Sequence, residues 1–340
     1  MLLEVLTPLA ELHDLALVDL DGVAYRGPEP IAHASESLVA ARAAGMGLVF
    51  VTNNASREPE SVARQLSELG IPAEPADVMT AAQAAAMVLT DLVPSGARVL
   101  VVGGAGLLTA VRAAGFVVVE SADDEPDAVV QGFSPELGWA RLAEAAYAVQ
   151  RGALHVVSNR DLTLPNERGF APGNGALVNA VVAATGAEPV SAGKPGPTMF
   201  RLAVERAQAQ RPLVIGDRLD TDLAGARAAD YPGLHVLTGV SSARDAVLSE
   251  AGERPSLLGV DLRCLLEPHP APVVGSEGWW VCGDSAARVR DGVLDLGRGA
   301  GAGLVSIDLV RSACAAVWAA RDAGEPVDAD SVPDMPVHES

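Results

Sequence analysis

At 340 residues, 49% of them hydrophobic, the chain is long enough for two or three domains with at least one large core. A formal charge of −20 with no basic stripe argues against binding along a nucleic-acid backbone, and no apolar run approaches the length of a membrane span. With five Phe, three Tyr and four Trp, the cores must be built mostly from Ala, Val and Leu.

The first residues lack the basic segment of a secretory signal and carry acids early. Cys264, Cys282 and Cys314 are odd in number and widely spaced, which fits buried thiols in a reducing cytoplasmic setting better than a disulfide framework or zinc site.

Leu15 to Gly27 (LALVDLDGVAYRG) reads as a buried strand running into a turn that holds Asp19 and Asp21. Ser35 to Ala44 has helical composition and stops at Gly45; Gly47 to Val51 is a second apolar strand, ending in Thr52-Asn53-Asn54 and then Ser56-Arg57. Strand, crossover helix and strand form a βαβ unit, which puts Thr52 and Asn53 on the same sheet edge as Asp19. Ligands of open α/β sheets bind at that edge. A helix follows, with Pro59 near its start and Gly70 after its end.

From about Thr80 the pattern is an Ala-rich helix, strand Arg98 to Gly103, a helix to Ala114, and strands Phe116 to Glu120 and Asp127 to Gln131. Helix Pro135 to Gln150 and strand Leu154 to Val157 complete a compact α/β insert. Ser158 to Gly175, with Pro165, Gly169, Pro172, Gly173 and Gly175, reads as loop, and a helix to Ala184 leads back out. After Ala192-Gly193-Lys194-Pro195 come helix Pro197 to Gln208 and strand Pro212 to Ile215, which ends in GDRLDTD (Gly216 to Asp222). An apolar strand thus delivers acids at its end for a second time. A short helix from Leu223 to Ala229 and strand Leu234 to Leu237 follow.

Beyond Asp261, Pro268, Pro270 and Pro272 read as a linker. Gly278 to Gly283, Ala287 to Val289 and Val293 to Leu296 read as short antiparallel strands before a helix from about Leu304 to Ala320. Gly324 to Ser340, acidic and Pro-containing, is expected to be disordered.

Asp19, Asp21 and Asp217 are hard oxygen ligands from two strand ends, a set that suits Mg²⁺ and leaves room for a phosphate oxygen. A carboxylate beside such a cation can attack phosphorus while a second carboxyl protonates the leaving oxygen. Thr52, Asn53 and Lys194 can meet the charge on the phosphoryl oxygens; Lys194 is the only lysine in the chain. Two Gly-rich stretches compete with this reading. Val99 to Glu120 imitates a dinucleotide fingerprint through Gly104 and Gly106, but Thr109 stands where the third Gly belongs. Arg298 to Gly303 fits a loose coenzyme A pyrophosphate loop, which would make the chain a regulatory nucleotide- or coenzyme A-binding protein; a plain connector fits it better.

Asp19-Leu20-Asp21-Gly22-Val23, then Thr52-Asn53-Asn54, then Lys194-Pro195, then Gly216-Asp217 with Thr221-Asp222 resemble the four ordered motifs of the haloacid dehalogenase superfamily of phosphatases. The VTNNASR and GDRLDTD wording and the large insert resemble its p-nitrophenylphosphatase-like branch, which includes phosphoglycolate and glycerol-phosphate phosphatases. The resemblance covers about residues 12 to 250.

It implies a doubly wound, Rossmann-like parallel-sheet core over 1–80 and 189–258 with an inserted α/β cap over 81–188. A small C-terminal α+β domain would span 259–325, ahead of a disordered tail at 326–340. The C-terminal addition and the Ala- and Arg-rich composition resemble mycobacterial-type glycerol-3-phosphate phosphatases, whose extra domain is acetyltransferase-like.

The implied roles are nucleophile for Asp19 and acid/base for Asp21. Mg²⁺ would be held by Asp19, the Asp21 carbonyl and Asp217, with Asp222 in support, and Lys194 would assist catalysis. Thr52, Asn53, Asn54, Arg57 and, from the cap loop, Asp161 would bind substrate; Asn166, Glu167 and Arg168 are further polar candidates in that loop. The implied reaction is hydrolysis of a small phosphorylated metabolite through an aspartyl-phosphate. Glycerol 3-phosphate is the first candidate, and phosphoglycolate or a broad range of sugar phosphates and p-nitrophenyl phosphate the alternative. A homodimer paired through the cap is also implied.

Overall fold

The computed structural model describes residues 1–166, 168–299 and 303–338. They form two compact units, one of residues 1–49, 69–71 and 204–340, the other of 50–68 and 72–203. The segment 50–68 therefore groups with the insert. Its backbone explains why: Gly106 N–H donates to Ser56 O (3.3 Å), and a Cβ on Gly106 would lie 2.8 Å from Arg57 O and 2.9 Å from Ala55 O. The glycines that imitate a dinucleotide fingerprint thus serve a close backbone approach.

A six-stranded sheet runs in the order Leu257–Gly259, Gly233–Val236, Pro212–Gly216, Leu15–Val18, Gly47–Thr52, Val78–Thr80. Leu15–Val18 pairs in parallel with Pro212–Gly216, which pairs in parallel with Gly233–Val236. Outward from Leu15–Val18 the strands follow chain order on both sides, which is the doubly wound arrangement. Every residue of Leu15–Val18 and Pro212–Gly216 is buried, as expected of parallel strands covered on both faces.

A second sheet, wholly within the unit of 50–68 and 72–203, has five strands in the order Val190–Ser191, Leu154–Val157, Ala128–Gln131, Arg98–Val102, Val117–Val119, all pairs parallel. The helices Trp139–Gln150 and Asn174–Thr185 pack together, and Ala145, Ala148 and Val181 join Leu100, Val102 and Val129 in one core. Ser158 to Gly175, expected as loop, contains an antiparallel hairpin of Thr163–Asn166 and Gly169–Pro172. Pro165 and Pro172 are compatible with it because both strands of a two-stranded ribbon are edges, where a missing N–H is tolerated. Glu167 lies outside the described residues.

The C-terminal part belongs to the first unit. Val273–Val274, Trp280–Cys282, Ser285–Arg290 and Val293–Leu296 form an antiparallel sheet in chain order, and the helix Ile307–Asp322 packs on it. Ser306 caps that helix, its Oγ accepting from Leu309 N (3.3 Å). The Pro-rich stretch expected as a linker is tied down by paired hydrogen bonds between Val5 and His269 (2.9 and 2.7 Å).

The expected disordered tail is also corrected over its described residues. Val332 and Met335 are buried, and the Val305 N–H donates to Pro336 O (2.8 Å). The acidic composition hid two apolar side chains three residues apart that join the buried core. The coenzyme A-like loop reading falls largely on residues 300–302, outside the described residues. Among the described residues no helix is long and apolar enough to cross a membrane.

Candidate active site

The Leu15–Val18 strand ends at Asp19, whose N–H donates to Ile215 O (2.9 Å) on the neighbouring strand. That neighbour, Pro212–Gly216, ends at Asp217, and the π-helical turn Leu219–Leu223 brings Asp222 back toward it. Carboxylate oxygens of Asp19, Asp217 and Asp222 lie within 4.8 Å of one another. Asp217 and Asp222 are buried and Asp19 is partly exposed.

The glycines around this cluster make it possible. A Cβ on Gly22 would fall 2.5 Å from Asp217 Oδ2, and one on Gly239 only 1.8 Å from the same oxygen. Gly22 also has φ of +91°, which disfavours any side chain. Gly216 leaves room for Asp222, against whose Cβ a new Cβ would lie at 2.1 Å. The carboxylates are held by backbone donors: Val240 N–H to Asp217 Oδ2 (2.7 Å) and Arg218 N–H to Asp222 Oδ2 (3.2 Å). Thr238 Oγ1 donates to Gly22 O (2.5 Å), tying the loop of Gly239 to the Asp19–Gly22 turn.

Three carboxylates this close repel one another strongly unless a cation sits among them. The donor set is all hard oxygen, and the glycine cradle fixes Asp217 in place, so the residues fit Mg²⁺. Asp21 stands apart from the cluster; it is exposed, bridged to Tyr25 across the turn. Arg218 pairs with Asp220 (2.8 Å). His235, opposite Gly216 in the parallel register, is fully buried. Burial pushes its imidazole down to about 4, the backbone of Asp217 and Ser241 offsetting only part, so the ring is neutral at neutral pH.

The remaining predicted residues belong to the other unit, where several of them meet. Thr52 ends its strand, buried, and its Oγ1 accepts from Asn54 N (3.1 Å). Asn53 Nδ2 donates to both Asp161 carboxylate oxygens (3.2 and 3.1 Å) and to Lys194 O (3.1 Å), while its Oδ1 accepts from Lys194 N (2.9 Å). Lys194 is 3% exposed, and its Nζ donates to Val51 O (3.3 Å). Asn54 and Arg57 are engaged locally. Asn54 Oδ1 accepts from Ser56 N (2.9 Å), and Arg57 donates to Gln65 Oε1 (2.6 Å) and Ser61 O (3.1 Å).

Asn174 was not singled out by the sequence; its Nδ2 donates to Asn159 O (2.8 Å). Gly239 was missed as well, because a single glycine after a strand carries no signal of what packs against it.

A model of haloacid dehalogenase-like hydrolases matches residues 16–117, and a HAD-hydrolase-like model matches residues 191–264. The D-glycerol 3-phosphate phosphatase of Mycobacterium tuberculosis is 46% identical over 322 residues, covering 93% of this chain and 88% of that protein. The chain belongs to the haloacid dehalogenase-like hydrolases.

Among solved structures, the glycerol phosphate phosphatase of M. tuberculosis in complex with magnesium superposes with a TM-score of 0.84 at 44% identity, covering 93% of each chain. The p-nitrophenyl phosphatase of Archaeoglobus fulgidus gives a TM-score of 0.70 at 26% identity, covering 75% of this chain and 98% of that one. The second match leaves a quarter of this chain unaccounted for, and the first takes in most of it.

Within this hydrolase, Gly239→Ala is expected to displace the Asp217 carboxylate and weaken Mg²⁺ binding by about 10- to 100-fold, as disturbed ligand orientation does elsewhere. Isothermal titration with MgCl₂ measures it, and wild-type affinity would show that the cradle is dispensable.

Proposed function

We propose that this hydrolase is a Mg²⁺-dependent phosphomonoesterase acting on glycerol 3-phosphate. The observation that carries the reading is the convergence of Asp19, Asp217 and Asp222 at two adjacent strand ends. The order of the four motifs supports the individual roles.

In this reading an Asp19 carboxylate oxygen attacks phosphorus, the bond from phosphorus to the ester oxygen breaks, and Asp21 protonates the departing alkoxide. Asp21, now a carboxylate, takes a proton from water as that water attacks the aspartyl-phosphate, restoring Asp19 and releasing phosphate. Asp19, the Asp21 carbonyl and Asp217, with Asp222 in support, would hold Mg²⁺, which would supply positive charge to the phosphoryl oxygens. Thr52 and Lys194 supply a hydroxyl and an ammonium to the same group.

Cytoplasmic location and a homodimer through the insert belong to the same reading. The first is supported by three buried cysteines that form no disulfide with one another, and the second by the exposure of Trp139 and Phe170 in that unit.

Phosphate release from a panel of esters in the presence of Mg²⁺ tests the proposal. Glycerol 3-phosphate is expected to give the highest kcat/KM. A higher value for phosphoglycolate or a sugar phosphate would replace the substrate, and no release from any ester would remove the reaction.

A further inference from the structure

The hydrogen bonds around Asn53 admit only one orientation of its carboxamide. The Asp161 carboxylate accepts and cannot donate, so it requires the Nδ2 face of Asn53. With Nδ2 so placed, Oδ1 is left facing the Lys194 N–H (2.9 Å), and Nδ2 also reaches Lys194 O (3.1 Å). Rotating the amide by 180° would set oxygen against carboxylate and NH₂ against N–H, losing these contacts together. Asp161 and the Lys194 main chain thus require the same orientation of the amide, and Asp161 holds the bracket on Lys194 from its far side. The Lys194 ammonium lies back along the same strand, on Val51 O (3.3 Å), so backbone and side chain are both registered on the strand end.

Asp161 is itself held firmly. Its N–H donates to Asn159 Oδ1 (3.2 Å), and its carbonyl accepts from Gly175 N (2.8 Å). Asn159 Nδ2 donates to Asn53 O (2.7 Å), closing the ring of contacts. Gly173 and Gly175 are required beneath it, since a Cβ at either would lie 2.3 Å from Asp161 O or 2.2 Å from Arg160 O.

We propose that Asp161 is a positioning residue, which acts through the Asn53 carboxamide on Lys194 and does not select the substrate by contact. The inference rests on the reading of Lys194 as the phosphoryl-binding cation.

Because Lys194 is the only lysine, protein labelled with ¹⁵N-lysine gives one backbone amide resonance, that of the N–H bonded to Asn53. In Asp161→Ala this amide is expected to exchange with D₂O about tenfold faster or more, the loss of one hydrogen bond. The kcat/KM should fall by about 10- to 100-fold, the scale of a misplaced catalytic group. It should fall by one common factor for glycerol 3-phosphate, phosphoglycolate and p-nitrophenyl phosphate. Asp161→Asn keeps an oxygen that can accept from Asn53 and should restore most of both readouts; it also serves if the alanine variant does not fold.

Wild-type exchange at Lys194 in the alanine variant overturns the proposal, as does a changed ranking of the three esters, which would mark a substrate contact. If the wild-type protein cleaves no phosphate ester, the phosphatase reading fails, while the exchange measurement still decides whether Asp161 holds Lys194.

Discussion

Asp19→Asn is expected to yield a folded protein whose phosphate release falls by at least about a thousandfold, because a carboxamide oxygen is a poor nucleophile toward phosphorus. The backbone at this position is secured by the Asp19 N–H to Ile215 O bond, which the substitution leaves in place. The electrostatics give a second, independent readout. Removing one of three anions gathered within 4.8 Å relieves repulsion, so without metal the variant should melt at or above the wild-type temperature. For the same reason the rise in Tm on adding Mg²⁺ should shrink, since part of the binding charge is gone. Turnover close to wild type would eliminate Asp19 as the attacking group. Lost turnover with an undiminished Mg²⁺ effect would separate attack from metal binding and place the metal on the other two carboxylates.

Asp19 and Asp217 were legible because each ends an unbroken apolar run, LALV and PLVIG, and contiguous burial leaves the first polar residue at the strand tip. Asp222 was legible only through the GDRLDTD resemblance. The turn Leu219–Leu223 that returns it to the cluster has no periodicity to read.

What escaped the sequence depends on atoms distant in the chain. Gly239 matters because Asp217 packs where its side chain would be, and nothing local in the chain reveals that Asn53 faces Asp161. Val332 and Met335 sit in a stretch whose acidic, Pro-containing composition argues for disorder, yet these two apolar side chains are buried in a core built from distant parts of the chain. Pro165 and Pro172 argued for loop where a ribbon of two edges accepts them. Composition reports what a segment can do alone, and these outcomes are set by what lies beside it.

The second large effect concerns that core. Trp318, fully buried on the helix Ile307–Asp322, belongs to a cluster that joins Cys314 and Val310 of the same helix to Leu219, Leu223, Ala246 and Val247. Its indole N–H donates to Ala246 O (3.2 Å), and the Arg254 guanidinium lies 5.4 Å from its ring centre.

Trp318→Ala should lower the free energy of unfolding by about 3–5 kcal/mol, the cost of emptying a large aromatic site that can only partly collapse. Trp318→Phe, which keeps most of the volume, should cost markedly less. Because Leu219 and Leu223 bound the turn that carries Asp222, the alanine variant should also bind Mg²⁺ more weakly. Urea unfolding followed by far-ultraviolet circular dichroism, paired with Mg²⁺ titration, checks both effects. A separate early transition with unchanged Mg²⁺ affinity would mean that the C-terminal helix unfolds on its own. A single transition at lower urea with weakened Mg²⁺ binding would make the C-terminal part a structural support of the metal-binding turn.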